Sequence, residues 1–191
     1  MINKFIQKTF FVLRIRYLAS ITSFFRKIYY RFLGMQIGNG TKVPEINVTW
    51  PHQVQIGNNC NLEPKIFFKY DGIWKKGASI IIHDNVFIGN NCEFNITDKI
   101  TLRKDCLIAS GCKFIDHNHS TSKALRGERE KDSKKEIILG EGVWLGVNSV
   151  ILMGVEIGNN AIIAAGAVVN KSIPPNEIWG GIPAKKIGER S

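Results

Sequence analysis

The chain has 191 residues, 44% of them hydrophobic, enough to bury the core of one domain. Its formal net charge of +10 is unevenly placed: residues 1–33 hold seven basic groups and no acid, and the remainder carries 19 basic against 16 acidic residues. That near-neutral body excludes a nucleic-acid partner argued from overall basicity.

Residues 1–33 also hold nine of the chain's nineteen aromatic residues. Their longest stretch without charge, Tyr17 to Phe25, is nine residues long, well short of the roughly 20 that span a bilayer as a helix. On a helical wheel Phe10, Leu18, Phe25 and Phe32 mark an apolar side. Lys4, Lys8, Arg16, Arg26 and Lys27 gather on another arc, and Arg14 interrupts the pattern. The pattern predicts an amphipathic helical segment over residues 1–35 ahead of a main domain over residues 36–191. A basic, aromatic-rich helix suits the interface of an anionic membrane. The same helix also suits the open end of a solenoid, where it covers apolar interior and unpaired strand edges.

Beyond the segment the chain repeats itself. Ile37-Gly38-Asn39-Gly40, Ile56-Gly57-Asn58-Asn59-Cys60 and Ile88-Gly89-Asn90-Asn91-Cys92 share one grammar. Aliphatic or aromatic residues open successive units at Ile82, Ile88, Phe94, Leu102, Ile108 and Phe114, with two extra residues between Phe94 and Leu102. From Leu139 to Pro174 six units of six residues follow, opening on Leu139, Leu145, Ile151, Ile157, Ile163 and Val169, with small or β-branched residues in fifth place. A period of six fits neither an amphipathic helix nor an alternating strand, so it marks a structural repeat. Gly158-Asn159-Asn160 supplies residues that tolerate positive φ, as a corner between flat segments requires. Such units cannot bury their apolar positions alone; stacked as coils of three, they form a prism filled by an aliphatic ladder.

Cys60, Cys92, Cys106 and Cys112 each occupy the fifth position of a unit, where a small buried side chain is wanted. Cys92 and Cys112 are three units apart and should stack in neighbouring coils. No C-x-x-C spacing and no secretory leader pattern occur, which favours reduced thiols in a cytoplasmic chain.

Between the two blocks of repeats lies Phe114-Ile115-Asp116-His117-Asn118-His119, followed by a loop excursion over residues 120–136 that is dense in charge. A long insertion in a regular solenoid is usually functional. Of the four histidines, only His117 stands at such a junction.

The hexapeptide pattern resembles the bacterial hexapeptide-repeat acyltransferases, and within them the sugar O-acetyltransferases: the maltose and galactoside enzymes and their capsule, O-antigen and exopolysaccharide relatives. The resemblance implies a mainly β fold, a left-handed parallel β-helix of triangular section, with the N-terminal helical segment and the loop excursion appended to it. It implies acetyl-CoA as the acyl donor, no metal, and a homotrimer with the donor lying between two subunits. His117 matches the family's general base, which takes a proton from a sugar hydroxyl; imidazole, with an ordinary pKa of about 6.5, suits that task. Asn95 and His119 match the acceptor side. On the donor side the resemblance points to Trp144, Gly146, Val147, Ala165, Gly166, Asn170, Lys171, Lys185 and Lys186. The small residues Ala164, Ala165, Gly166 and Gly181 would let the pantetheine arm approach the backbone, and Lys171, Lys185 and Lys186 would meet phosphates. Val147 stands where the galactoside enzymes have Ser, which leaves only its backbone N–H for the oxyanion.

The implied acceptor is a polysaccharide precursor, free or carried on lipid at the inner face of the membrane. The implied location is the cytoplasm or the periphery of that face. Two other readings use the same solenoid. A γ-type carbonic anhydrase would hold zinc with three histidines, for which His83, His117 and His119 would have to serve; it leaves the excursion and the donor residues unexplained. A structural or ice-binding solenoid needs a repeated Thr face, which this chain lacks.

Overall fold

The computed structural model describes residues 3–118 and 133–190, less the side chains of residues 15 and 16. The chain begins with helix over Lys4–Val12, passes through a wider π-helical stretch at Leu13–Leu18 and continues as helix over Ala19–Phe32. Gly34, at φ +92°, turns the chain out of the helix, a conformation that costs glycine nothing.

The rest of the described chain winds through three sheets, here called A, B and C. In each coil a short strand joins sheet A, then B, then C, and pairs in parallel with strands of the coils before and after. Sheet A contains Ile80–Ile82, Ile100–Leu102 and Ile137–Leu139; sheet B contains Phe87–Ile88, Leu107–Ile108 and Trp144–Leu145; sheet C contains Glu93–Ile96, Lys113–Ile115 and Val150–Leu152. The six-residue period explains the register. Each unit's first residue points inward and stacks on its counterpart one coil away, as Leu102 does on Ile82 and Leu139, and Ile108 on Ile88 and Leu145. All twelve openings of the two main blocks are buried. On sheet C the inner ladder is aromatic: Phe68, Phe94 and Phe114 stack with centroids 5.0 and 4.7 Å apart.

Corner positions are closely contacted. A Cβ at Gly111, which has φ +76°, would lie 2.0 Å from Asn148 Oδ1 of the next coil. The fifth-position cysteines are buried and free of disulfides; Cys92 Sγ–H donates to Ala109 C=O at 3.2 Å and Cys112 Sγ–H to Gly146 C=O at 3.3 Å.

Insertions are confined to one edge. The steps from A to B and from B to C keep the period of six, as in Ile56–Leu62–Phe68, Ile82–Ile88–Phe94 and Leu102–Ile108–Phe114. The turns at residues 49–53, 71–79 and 97–99, and the excursion that leaves after Ile115 and returns before Ile137, all lie where sheet C passes to sheet A, in four successive coils. That edge carries every long departure from the repeat. At the base of the last of them His117–Asn118 and Ser133–Lys134 pair as an antiparallel ribbon.

The second half of the N-terminal helix docks on the first coil. Val43 N–H donates to Ser23 Oγ at 2.8 Å, Tyr30 Oη–H to Ile46 C=O at 3.0 Å, and Arg31 to Ile37 C=O. Ser23 is the only buried residue of Ala19–Phe32. Phe5, Phe10, Phe11, Phe24, Phe25 and Phe32 all remain exposed.

Candidate active site

Asp116, at the end of sheet C, is fully buried. Its carboxylate accepts bonds from Thr97 N–H at 2.8 Å, Thr97 Oγ1–H at 3.2 Å, Asp98 N–H at 2.7 Å and Lys99 N–H at 3.0 Å. The two extra residues between Phe94 and Leu102 thus form a turn wrapped around one carboxylate of the next coil. A buried charge needs such a cradle of donors.

The same carboxylate reaches His117. Asp116 Oδ1 lies 3.1 Å from His117 Nδ1, and the imidazole is 9% exposed. An ionised carboxylate only accepts hydrogen bonds, so in this pair the neutral imidazole carries its proton on Nδ1. His117 also opens the ribbon, opposite Lys134. The site therefore holds an oriented base at the root of the excursion. His119 lies outside the described residues.

Asn95 faces outward on sheet C, in register with Ile115. Its Oδ1 is enclosed, with no hydrogen-bond partner among the described residues. An unpaired buried amide oxygen costs about 1–3 kcal/mol. Around the edge, on sheet A, a polar cleft of about 570 Å³ opens between Lys99 and Glu136, with Thr101, Arg103 and Ile138 in its lining.

The donor-side residues sit elsewhere. Trp144 is half-exposed on the outer face of sheet B, between Leu107 and Ile162. Val147, Ala165 and Gly166 are exposed at successive corners between sheets B and C. The Val147 N–H is bound to nothing among the described residues. A Cβ at Gly146 would lie 2.5 Å from Ala165 N, so coil stacking alone demands that glycine, whereas Gly166 (φ +69°) faces open space. Lys171 Nζ lies 5.0 Å over the Trp179 ring. Asn170 and Lys185 are exposed. Lys186 bonds Glu177 and Glu189, both at 2.8 Å; the bond to Glu177 raises its pKa and lowers that of Glu177. Its charge is already matched by two carboxylates, whereas Lys185 has no ion pair among the described residues.

Val147 precedes sheet C and His117 follows it, so one chain places base and donor corner on opposite edges of that sheet. His83 lies at the A–B corner, away from His117, and among the described residues no three His, Cys, Asp or Glu side chains are grouped to hold a metal.

Family models agree with this architecture. Residues 136–171 match "Bacterial transferase hexapeptide (six repeats)" and residues 79–112 match "Hexapeptide repeat of succinyl-transferase". The chain is 34% identical to the galactoside O-acetyltransferase of Escherichia coli K12 over 70% of its own length and 63% of that protein's. It is 37% identical to a probable macrolide acetyltransferase of Lysinibacillus sphaericus over 56% of its own length and 68% of that protein's. It thus spans somewhat under two thirds of the first of these relatives and just over two thirds of the second. Among solved structures, a hexapeptide-repeat acetyltransferase of Vibrio cholerae O1 biovar eltor, in complex with acetyl coenzyme A, superposes with a TM-score of 0.63 at 26% identity, covering 87% of this chain and 76% of that one. The shared fold is the left-handed parallel β-helix. This chain belongs to the bacterial hexapeptide-repeat acyltransferase family.

Proposed function

We propose that the protein transfers an acetyl group from acetyl-CoA to a sugar hydroxyl in the synthesis of a cell-surface polysaccharide, with His117 as general base. The observation that carries this reading is the pair formed by buried Asp116 and His117, 3.1 Å apart. His117 Nε2 takes the hydroxyl proton as the oxygen attacks the thioester carbonyl. The tetrahedral oxyanion that forms is met by the Val147 N–H. The C–S bond then breaks, and the imidazolium returns its proton to the departing thiolate, giving acetyl ester and free CoA. Asn95 orients the acceptor, with His119 beside it. Trp144, Gly146, Ala165 and Gly166 line the donor's path, and Asn170, Lys171, Lys185 and Lys186 bind its far end.

Since base and donor corner lie on opposite edges of sheet C, the complete site needs a second subunit, and we propose a homotrimer, which closes on itself. The outer face of sheet B supports this. Phe87, Leu107, Trp144, Ile162 and Ile178 stand in register as an apolar ladder along it, and Leu107 and Trp144 are about half exposed. Residues 1–35 and 36–191 act as two units. The exposed aromatic and basic side chains of the helix bring the enzyme to anionic lipid at the inner membrane face, where lipid-linked acceptors reside. No helix of the described residues is long and apolar enough to cross a membrane.

The test is incubation with labelled acetyl-CoA and a panel of nucleotide sugars, free oligosaccharides and lipid-linked glycans. Label recovered as an alkali-labile ester on a glycan supports the reading. Label on none of them, with acetyl-CoA bound, contradicts it.

A further inference from the structure

Two exposed tryptophans near His117's edge have no part in the mechanism above. Trp50 is 46% and Trp74 65% exposed. Both belong to the turns from sheet C to sheet A, in the residue 49–53 and 71–79 insertions. Between them lies the His52 ring, with centroids 5.7 Å from Trp50 and 5.8 Å from Trp74. His52 Nε2 is enclosed without a hydrogen-bond partner among the described residues. Folded chains rarely leave a buried polar atom unpaired, and exceptions point to function.

The turn that carries Trp74 is held at several points. Gln53 Nε2–H donates to Lys75 C=O at 2.6 Å, and Tyr70 Oη–H to Ile73 C=O at 2.9 Å. Lys75 Nζ then donates to Asp98 C=O at 3.0 Å. Asp98 N–H is one of the donors that Asp116 holds beside His117. One chain of bonds therefore ties the aromatic pair to the base. Along the edge the order is Trp50 and His52, Trp74, Asp98, His117, one turn per coil, and coils stack about 4.8 Å apart.

We propose that this edge is an extended acceptor site for a glycan of several sugar units, with the acetylated unit at His117 and a distal pyranose stacked on Trp74 and Trp50. The inference rests on the sugar-acceptor reading and adds that the substrate is a chain rather than a single sugar. Tryptophan fits the role because an indole offers a broad apolar face to the C–H side of a pyranose and a polar N–H to its hydroxyls. Sites for such ligands combine aromatic surface with a few placed polar groups, here His52, Lys75 and Asp98. The repeat supplies no reason for these residues. Coils closer to the C-terminus turn from C to A within three residues, Met153 to Val155.

The test uses full-length protein and Trp74→Ala and Trp50→Ala, with thermal unfolding to show that each variant folds. Galactose-, glucose- and N-acetylglucosamine-based acceptors of one, two and four units are compared by kcat/KM for acetyl transfer. Binding of the same sugars without donor is followed by calorimetry. In the wild type both quantities should rise with chain length. In either variant the four-unit advantage should fall about three- to tenfold, seen in KM rather than kcat. Equal handling of all lengths by the wild type overturns the inference, as does an unchanged length preference in both variants; either result leaves the proposed activity standing. Length-dependent binding that needs Trp74, with no transfer to any sugar, upholds the subsite and overturns the acetyl-transfer reading.

Discussion

Asp116 and His117 are consecutive in the chain, yet the first is fully buried and the second reaches the surface, and their side chains meet at 3.1 Å. The carboxylate serves two structures at once, the turn at residues 97–99 and the imidazole. Its removal should therefore affect both stability and rate. In Asp116→Ala the N–H groups of Thr97, Asp98 and Lys99 lose their acceptor, at about 1–3 kcal/mol each. Urea unfolding should show a loss of at least about 3 kcal/mol. Asp116→Asn keeps the shape and one acceptor oxygen but frees the ring. It should fold and yet lose kcat by about tenfold or more, with the KM for acetyl-CoA unchanged. Equal kcat in wild type and Asp116→Asn would show that the carboxylate only holds the turn.

The apolar ladder on sheet B predicts assembly. Leu107→Arg places a charge in its middle, where burying leucine is worth about 1.5–3 kcal/mol per interface. Sedimentation should show a trimer for the wild type and a monomer for the variant at micromolar concentration. A wild-type monomer would contradict the shared site.

The N-terminal helix has two halves with different duties. Ser23 and Tyr30 bond the first coil, whereas Lys4–Val12 buries nothing. A deletion of residues 1–18 should keep the fold and acetyl transfer to a soluble acceptor. It should lose sedimentation with phosphatidylglycerol vesicles, and full-length binding should weaken as salt rises. Full-length protein that ignores such vesicles would make the helix an end cap only.

The cysteines give a prediction about pH. Burial pushes the Cys106 thiol up to about 12, and Cys92 is raised by its bond to Cys112 and by burial. Cys112 is instead lowered, by its contact with Cys92 first and by Ser149, but all four thiols are buried, so burial should keep the native protein from thiol reagents at pH 8 until it unfolds. A thiol whose folded pKa lies above its unfolded value of 9.0 stabilises fully below pH 9, and that contribution is lost as pH rises towards 12. Stability should fall through this window more steeply in the wild type than in Cys106→Ala.

Most of the fold was legible because one constraint repeats. A coil that must stack on the next needs an inward aliphatic residue every sixth position, and Leu102, Ile108 and Leu139 are buried as that rule demands. Asp116 was harder to read. Its role depends on Thr97–Lys99, in the neighbouring coil, and a carboxylate beside a histidine carries no signal until that stacking is known. The two extra residues after Asn95 were visible as a break in period, but not as a turn wrapped around a side chain. The demand for glycine at 146 comes from Ala165 of the next coil, a contact that the unit containing Gly146 does not display by itself. Lys186 looked free in sequence because its partners Glu177 and Glu189 are brought to it by the antiparallel hairpin that pairs Glu177–Gly180 with Lys185–Glu189.

The central claim is that His117 activates a sugar hydroxyl against acetyl-CoA. It is tested most directly by single-turnover transfer of labelled acetyl groups to the best acceptor of the glycan panel, comparing wild type with His117→Ala. The account predicts a rate about 10²–10⁴-fold lower in the variant, with acetyl-CoA affinity little changed. A His117→Ala protein that folds, binds acetyl-CoA and transfers at the wild-type rate would contradict it.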